Sequence, residues 1–324
     1  SKQDVPQRVC RRISGACAAA VEAPPAPPAP RCLRAAARGR PGRMDLTMSS
    51  LEDDALGAGG SHLQPFVDAE REFVQLTEHG DHDAAVRCLE SVLRQEQASV
   101  QQMHDTVLST LFERLAVGYN TLGMKYLKEG RPEVSCKFFE KAEALTDPAN
   151  LHMNPESRLV LRAVTYNNMG CFYKSMGKLH TSLQFLRKAK NLEEKSNGRC
   201  ENPAGTHLNL CALLSQMGKH AEALDHSRKA LALLEANPPA GSSSESLIGV
   251  AYFNMGAEFE HLRKTLDALW AYDRAHQICL SELGEDHALS KKISECLVQL
   301  RAKSNKKKHG DAAAAPGAAA LHHR

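Results

Sequence analysis

Between residues 66 and 302 the apolar positions recur three and four apart, and each apolar run halts at a short polar turn. Gly80 in LTEHGDHDAA, Gly130 in YLKEGRPEVS, Gly177 in SMGK and Gly218 in LSQMGKHAEA stand just after one run and just before the next. A glycine in that place is a left-handed helix stop, because it has no Cβ to resist a positive φ. Arg263 in FEHLRKTLDA takes the fifth such place without the glycine. The pattern predicts five helix, turn, helix units.

Columns counted from the five turn residues carry the same message. Seven before them stand Phe73, Gly123, Gly170, Cys211 and Gly256, mostly small, and four before stand Leu76, Tyr126, Tyr173, Leu214 and Phe259, all large and apolar. Five after come Ala85, Ser135, Ser182, Ala223 and Ala268, all small. Nine after come Leu89, Phe139, Leu186, Ser227 and Tyr272. Small residues let the two helices of a hairpin approach, and large ones fill the space beside them. Between units lie turn-forming clusters in which Asn154-Pro155 and Asn202-Pro203 read as N-caps followed by proline at the first helical position, and Ser242 with Glu245 as a capping box. A last helix, from about Ala288 to Leu300, is expected to cover the open end of the stack.

These units resemble tetratricopeptide repeats, whose pattern is an aromatic, x2, Leu-Gly, x2, Tyr, then Ala-x3-Phe. Tyr119, Leu122, Gly123, Tyr126, Ser135 and Phe139 fit it, as do Tyr166, Met169, Gly170, Tyr173, Ser182 and Leu186, and Tyr252, Met255, Gly256, Phe259, Ala268 and Tyr272. The first and fourth units depart, with Phe73 or Cys211 for the glycine and Ser227 for the large residue. Turn-to-turn spacings of 50, 47, 41 and 45 exceed the family's usual 34, and with Gly284-x-x-His287 they are similar to the kinesin light chain branch. The resemblance implies an all-α, right-handed α-solenoid of about five hairpins with a C-terminal capping helix over residues 66–302, flanked by disordered segments 1–65 and 303–324. It also implies that the first helix of each pair lines a concave groove. The function expected from it is a non-enzymatic scaffold or adaptor holding a peptide or helical segment of another protein, with a kinesin-light-chain-like transport or ciliary adaptor as a narrower version. The coiled coil that would join such a chain to a motor is not legible, since residues 91–115 are helical in pattern but too short.

Composition changes this picture mainly at the ends. The formal charge is +3, but residues 1–43 carry +7 and residues 301–324 carry +5, which leaves −9 for residues 44–300. An acidic body disfavours a phosphate-binding surface, so nucleic acid is not an expected partner of it, with the basic tails as the alternative route to one. The Ala/Pro/Arg-rich start cannot bury enough apolar surface to fold. It is expected to be a fragment or an upstream artefact before Met44, with organelle targeting as the other reading. No CxxC occurs among the ten cysteines, which read as free thiols in a reducing, cytoplasmic setting, and no run is long enough for a membrane span.

No catalytic signature is legible: HExxH, a Gly-rich phosphate loop and a Gly-x-Ser-x-Gly elbow are all missing. The HGDHD cluster at residues 79–83 falls on a turn, where capping explains it better than metal. His220 and His226, six apart, do not share a helix face. Carboxylates such as Glu140, Glu143, Glu258 and Glu260 read as solvated faces. No metal, cofactor or small-molecule substrate is expected. What remains is a set of amides. Ten and nine residues before the turns stand Asn120, Asn167, Asn168, Asn209, Phe253 and Asn254, and with Lys174 these are the expected groove residues. An amide both donates and accepts, which suits a peptide backbone or an adjacent helix, and the two roles are compatible. The remaining lining, Val117, Met124, Val250, Phe253 and Ala257, suggests a partly apolar segment rather than an acidic tail.

Overall fold

The computed structural model describes residues 64–95, 105–200, 202–236 and 243–313, and the expectations for residues 1–63 and 314–324 and for Ser242 lie outside them. Among the described residues there are eleven helices and no strand. They are α1 (Gln64–Glu78), α2 (His82–Gln95), α3 (Asp105–Lys128), α4 (Pro132–Leu145), α5 (Pro155–Ser175), α6 (Leu179–Lys195), α7 (Pro203–Gln216), α8 (His220–Ala236), α9 (Ser243–His261), α10 (Thr265–Leu283) and α11 (Ala288–Ala313). They form five hairpins, α1/α2 through α9/α10, and α11 packs on α10 as the cap.

All five turns have the same backbone. Gly80, Gly130, Gly177, Gly218 and Arg263 have φ of 81°, 72°, 71°, 73° and 60°. In each, the next amide donates back to the large residue four before the turn: Asp81 to Leu76, Arg131 to Tyr126, Lys178 to Tyr173, Lys219 to Leu214 and Lys264 to Phe259, at 2.9 Å each. That bond closes the helix and fixes the entry of the second one. Asn154 caps α5 by accepting from the amides of Glu156 and Ser157, and Asn202 caps α7 by accepting from Gly205, each with proline next.

Within a hairpin the small columns meet. A Cβ on Gly123 would lie 2.5 Å from the Phe139 ring, one on Gly170 2.6 Å from Leu186, and one on Gly256 2.6 Å from Tyr272. Ser135 and Ser182 add a bond across the same contact, donating at 2.7 Å to the carbonyls of Gly123 and Gly170. The small residue five after the turn thus also supplies a hydroxyl that satisfies a helix carbonyl.

Two features differ from expectation. The α3 helix begins at Asp105, and its first turns bury Leu108, Leu111 and Leu115, so much of the segment weighed as a coiled coil belongs to the second hairpin. The cap does not end near Leu300: α11 continues to Ala313, through the expected boundary at residue 303. Alanine and lysine propagate a helix readily, and no proline stops it. Leu300 is the last buried residue of α11 among those described.

From α3 onward, packing between successive first helices (α3 with α5, α5 with α7, α7 with α9) exceeds that between successive second helices. A stack whose first helices lie closer together curves toward them, so the first-helix row is the concave side.

Candidate functional site

The concave row divides the seven expected groove residues into three groups. Asn120 and Asn168 are buried, at 4% and 5% exposure, in the seam between α3 and α5. Asn168 donates to the Asn120 side-chain oxygen at 3.0 Å, while the Asn120 side chain donates to Thr165 Oγ1 and to the Ala116 backbone carbonyl at 2.9 Å each. One repeat further on, Asn209 donates to the Asn167 side-chain oxygen at 3.0 Å, and Thr206 Oγ1 lies 3.2 Å from the same atom. These amides form a staggered ladder between first helices, the helix-joining role that an amide can serve in place of, or beside, ligand contact.

Asn254 stands apart. The next rung would need an amide on α7 at the place matching Asn120 and Asn167, and there the chain has Leu208, buried at 4%. Asn254 is half-buried on α9 and makes no hydrogen bond to another described residue. Beside it along the helix are Val250, Phe253 and Ala257, each also half-buried. Lys174, half-buried near the end of α5, forms no ion pair with a described residue. Val117 and Val164 carry the apolar lining to the far side of the row, exposed at 48% and 42%.

Both carboxylates of the HGDHD turn are engaged. Asp81 accepts from the Ala84 amide at 3.0 Å, and Asp83 accepts from Lys125 Nζ and Tyr126 Oη at 2.5 Å each. Among the described residues no three His, Cys, Asp or Glu side chains are grouped to hold a metal, and no helix is long and apolar enough to cross a membrane.

Two histidine contacts were not legible in the sequence, because each crosses between helices. His207 and His226 meet through their Nδ1 atoms at 2.8 Å, joining α7 to α8. His220 meets Glu258 at 2.8 Å and stacks on His261 with centroids 4.0 Å apart. Glu258, expected on a solvated face, is buried at 2% exposure, because α8 packs over that side of α9. No spacing within one helix announces such pairs.

Glu193, at the end of α6, also escaped notice. Its Oε1 accepts from Thr206 at 2.6 Å and its Oε2 is buried without a partner. Burial pushes its carboxyl up to about 7, whereas burial together with the neighbouring His226 holds His207 down to about 4. A raised acid binds protons more readily in the fold, so stability falls as pH rises from about 4.5 to 7 and stays lowered above that. Glu193→Gln is therefore expected to gain about 1–2 kcal/mol at pH 8 and nothing below pH 4.5, read as melting temperature against pH. The His207 contribution, which weakens the fold as pH falls from 6.5 toward 4, cancels in that comparison.

Residues 161–236 match the family model described as tetratricopeptide repeat. Among curated proteins none matches the chain. Of solved structures, BtubC (BKLC) from P. vanneervenii is similar at 18% identity, with 72% of this chain and 93% of that chain covered and a TM-score of 0.47. MamA is similar at 19% identity, covering 63% and 95%, with a TM-score of 0.34. TTC0263, a thermophilic TPR protein in Thermus thermophilus, is similar at 18% identity, covering 74% and 100%, with a TM-score of 0.37. The family match spans the third and fourth hairpins, and the turn geometry found there recurs in all five.

Proposed function

We propose that this protein is a non-enzymatic scaffold that holds a partly apolar peptide or helical segment of another protein against its first-helix row, with the centre of recognition on α9. The observation that carries this reading is Asn254, an amide that makes no hydrogen bond to another described residue and is set among Val250, Phe253 and Ala257. A backbone laid across that face would bury its own N–H and C=O groups, and an amide can satisfy one of each. Asn120, Asn167, Asn168 and Asn209 contribute by holding the row in register, and Lys174 supplies a cation at the other side.

The test selects peptides from a displayed library on the full-length chain and measures their affinity by fluorescence anisotropy. Asn254→Ala is expected to weaken the selected peptides about tenfold or more, with helical circular dichroism and melting temperature unchanged. Peptides that bind Asn254→Ala and Phe253→Ser as tightly as the original chain would overturn the reading. The narrower reading, a transport adaptor similar to kinesin light chains, draws on the long units and on the Gly284 stop and His287, whose ring accepts from the Leu289 amide at 3.2 Å. It requires that the selected sequences match segments of transported cargo.

A further inference from the structure

The last second helix, α10, differs from its four counterparts on the side that faces solvent. Three residues after the turn the earlier units have Asp83, Glu133, His180 and Ala221, seven after they have Arg87, Lys137, Gln184 and Asp225, and seventeen after, in the two units whose second helix reaches that far, they have Glu194 and Glu235. In the fifth unit the same three places hold Leu266, Trp270 and Leu280, exposed at 78%, 51% and 42%. Polar residues at these columns are what a solvated helix face requires. Among the described residues Trp270 meets the Tyr252 ring edge-to-face at 5.6 Å, which leaves half of it and most of Leu266 uncovered, and an exposed apolar patch of this kind marks an interaction surface.

The spacing of the stripe suits a second copy of the same helix as its occupant. Leu266 and Leu280 each lie seven residues from Asp273 along a helix face roughly 21 Å long, while Trp270, three before Asp273, has His276 and no second apolar residue three after it. Two such helices packed antiparallel about Asp273 set Leu266 of one copy beside Leu280 of the other, twice over, with Trp270 beside His276. That is the self-complementary arrangement a two-fold interface needs. Charge fits it as well. Asp273 at the centre is already neutralised by Arg301 of α11 at 2.7 Å, so two copies do not bring bare carboxylates together. At the edge, a shallow pocket of about 220 Å3 is lined by Glu235 and Arg274 with Ile248, Tyr252 and Ile278, one acid and one base. Arg274 lies over the Tyr252 ring and forms no ion pair with a described residue. A border that offers one charge of each sign can meet its own copy with opposite charges opposed.

We infer that the exposed stripe of α10, Leu266, Trp270 and Leu280, is the two-fold interface through which two copies of this chain associate, leaving both concave rows open. This goes beyond the groove reading and does not rest on it.

Trp270 is the only tryptophan in the chain, so its emission reports this face alone. The experiment follows molar mass by sedimentation equilibrium and tryptophan emission on the full chain from about 1 μM to about 500 μM. Expected is a rise from monomer to dimer mass with a blue shift of emission over the same concentrations. In Leu266→Glu/Leu280→Glu, both changes are expected to move up at least about a hundredfold in concentration, with circular dichroism unchanged because both leucines are exposed. Monomer mass throughout would overturn the inference. So would a dimer whose tryptophan emission does not shift, a dimer that the double variant leaves intact, or an emission shift that appears only on adding a different protein.

Discussion

Replacing Gly123 by valine should unfold the second hairpin at a denaturant concentration where the unaltered chain is still fully helical. The substituted Cβ would stand 2.5, 2.8 and 2.8 Å from three atoms of the Phe139 ring. The ring cannot retreat, since Phe139 is 1% exposed and its far side meets Phe172 of the next repeat at a centroid distance of 5.9 Å. Overpacking of this kind, with a β-branched residue in a helix interior, is expected to cost about 3–4 kcal/mol. Gly123→Ala is expected to remain destabilising even though alanine is the better helix former by about 1 kcal/mol. The turn glycine offers the contrast. Around Gly177 a Cβ would meet nothing within 4 Å, so Gly177→Ala loses only what a positive φ of 71° costs, about 1 kcal/mol. Denaturant unfolding followed by circular dichroism separates the two. Equal losses at Gly123 and Gly177 would mean that close approach of the helices is not what holds a hairpin together.

Asn168→Ala should lower stability by about 1–3 kcal/mol, because it leaves the Asn120 oxygen buried at the α3/α5 seam with no donor. Changing both partners to leucine removes the stranded group along with the bond and is expected to recover much of that loss. At Asn254 the same truncation strands nothing, and its effect belongs to ligand affinity alone. Thermal unfolding of Asn168→Ala, Asn120→Leu/Asn168→Leu and Asn254→Ala in parallel checks the division. An unchanged melting temperature for Asn168→Ala would show the ladder to be a bystander.

Those two sets of residues also show how far the sequence could be read. Turns and hairpins were legible because they depend on local causes: a glycine that accepts a positive φ, a small residue facing a large one, an asparagine before a proline. Arg263 could be placed without its glycine because the columns on both sides held the register. The asparagines were visible as a column, but their roles were not. Whether an amide is spent on a neighbouring helix depends on what stands one repeat away on another helix. Asn120 answers Asn168 and Asn167 answers Asn209, while Leu208 leaves Asn254 unanswered. His207 with His226, and His220 with Glu258, escaped for the same reason. The length of α11 was missed because charge and alanine content, taken as marks of a tail, are also good helix formers.

The substitution of Leu208 for an amide has a mechanical side. On the inner row, α3, α5 and α7 are tied by side-chain bonds that must break before these helices can separate. Among the described residues no amide bond of this kind joins α7 to α9, and polar fastening lies between α8 and α9, where Ser227 donates to the Ala251 carbonyl at 2.8 Å and His220 meets Glu258. Drawn out along its axis, the solenoid is therefore expected to resist unevenly: the early seams hold through amide bonds that must break, and the α7/α9 seam through helix packing in front and the α8/α9 bonds behind. The hairpin beyond that seam is the one that carries Asn254.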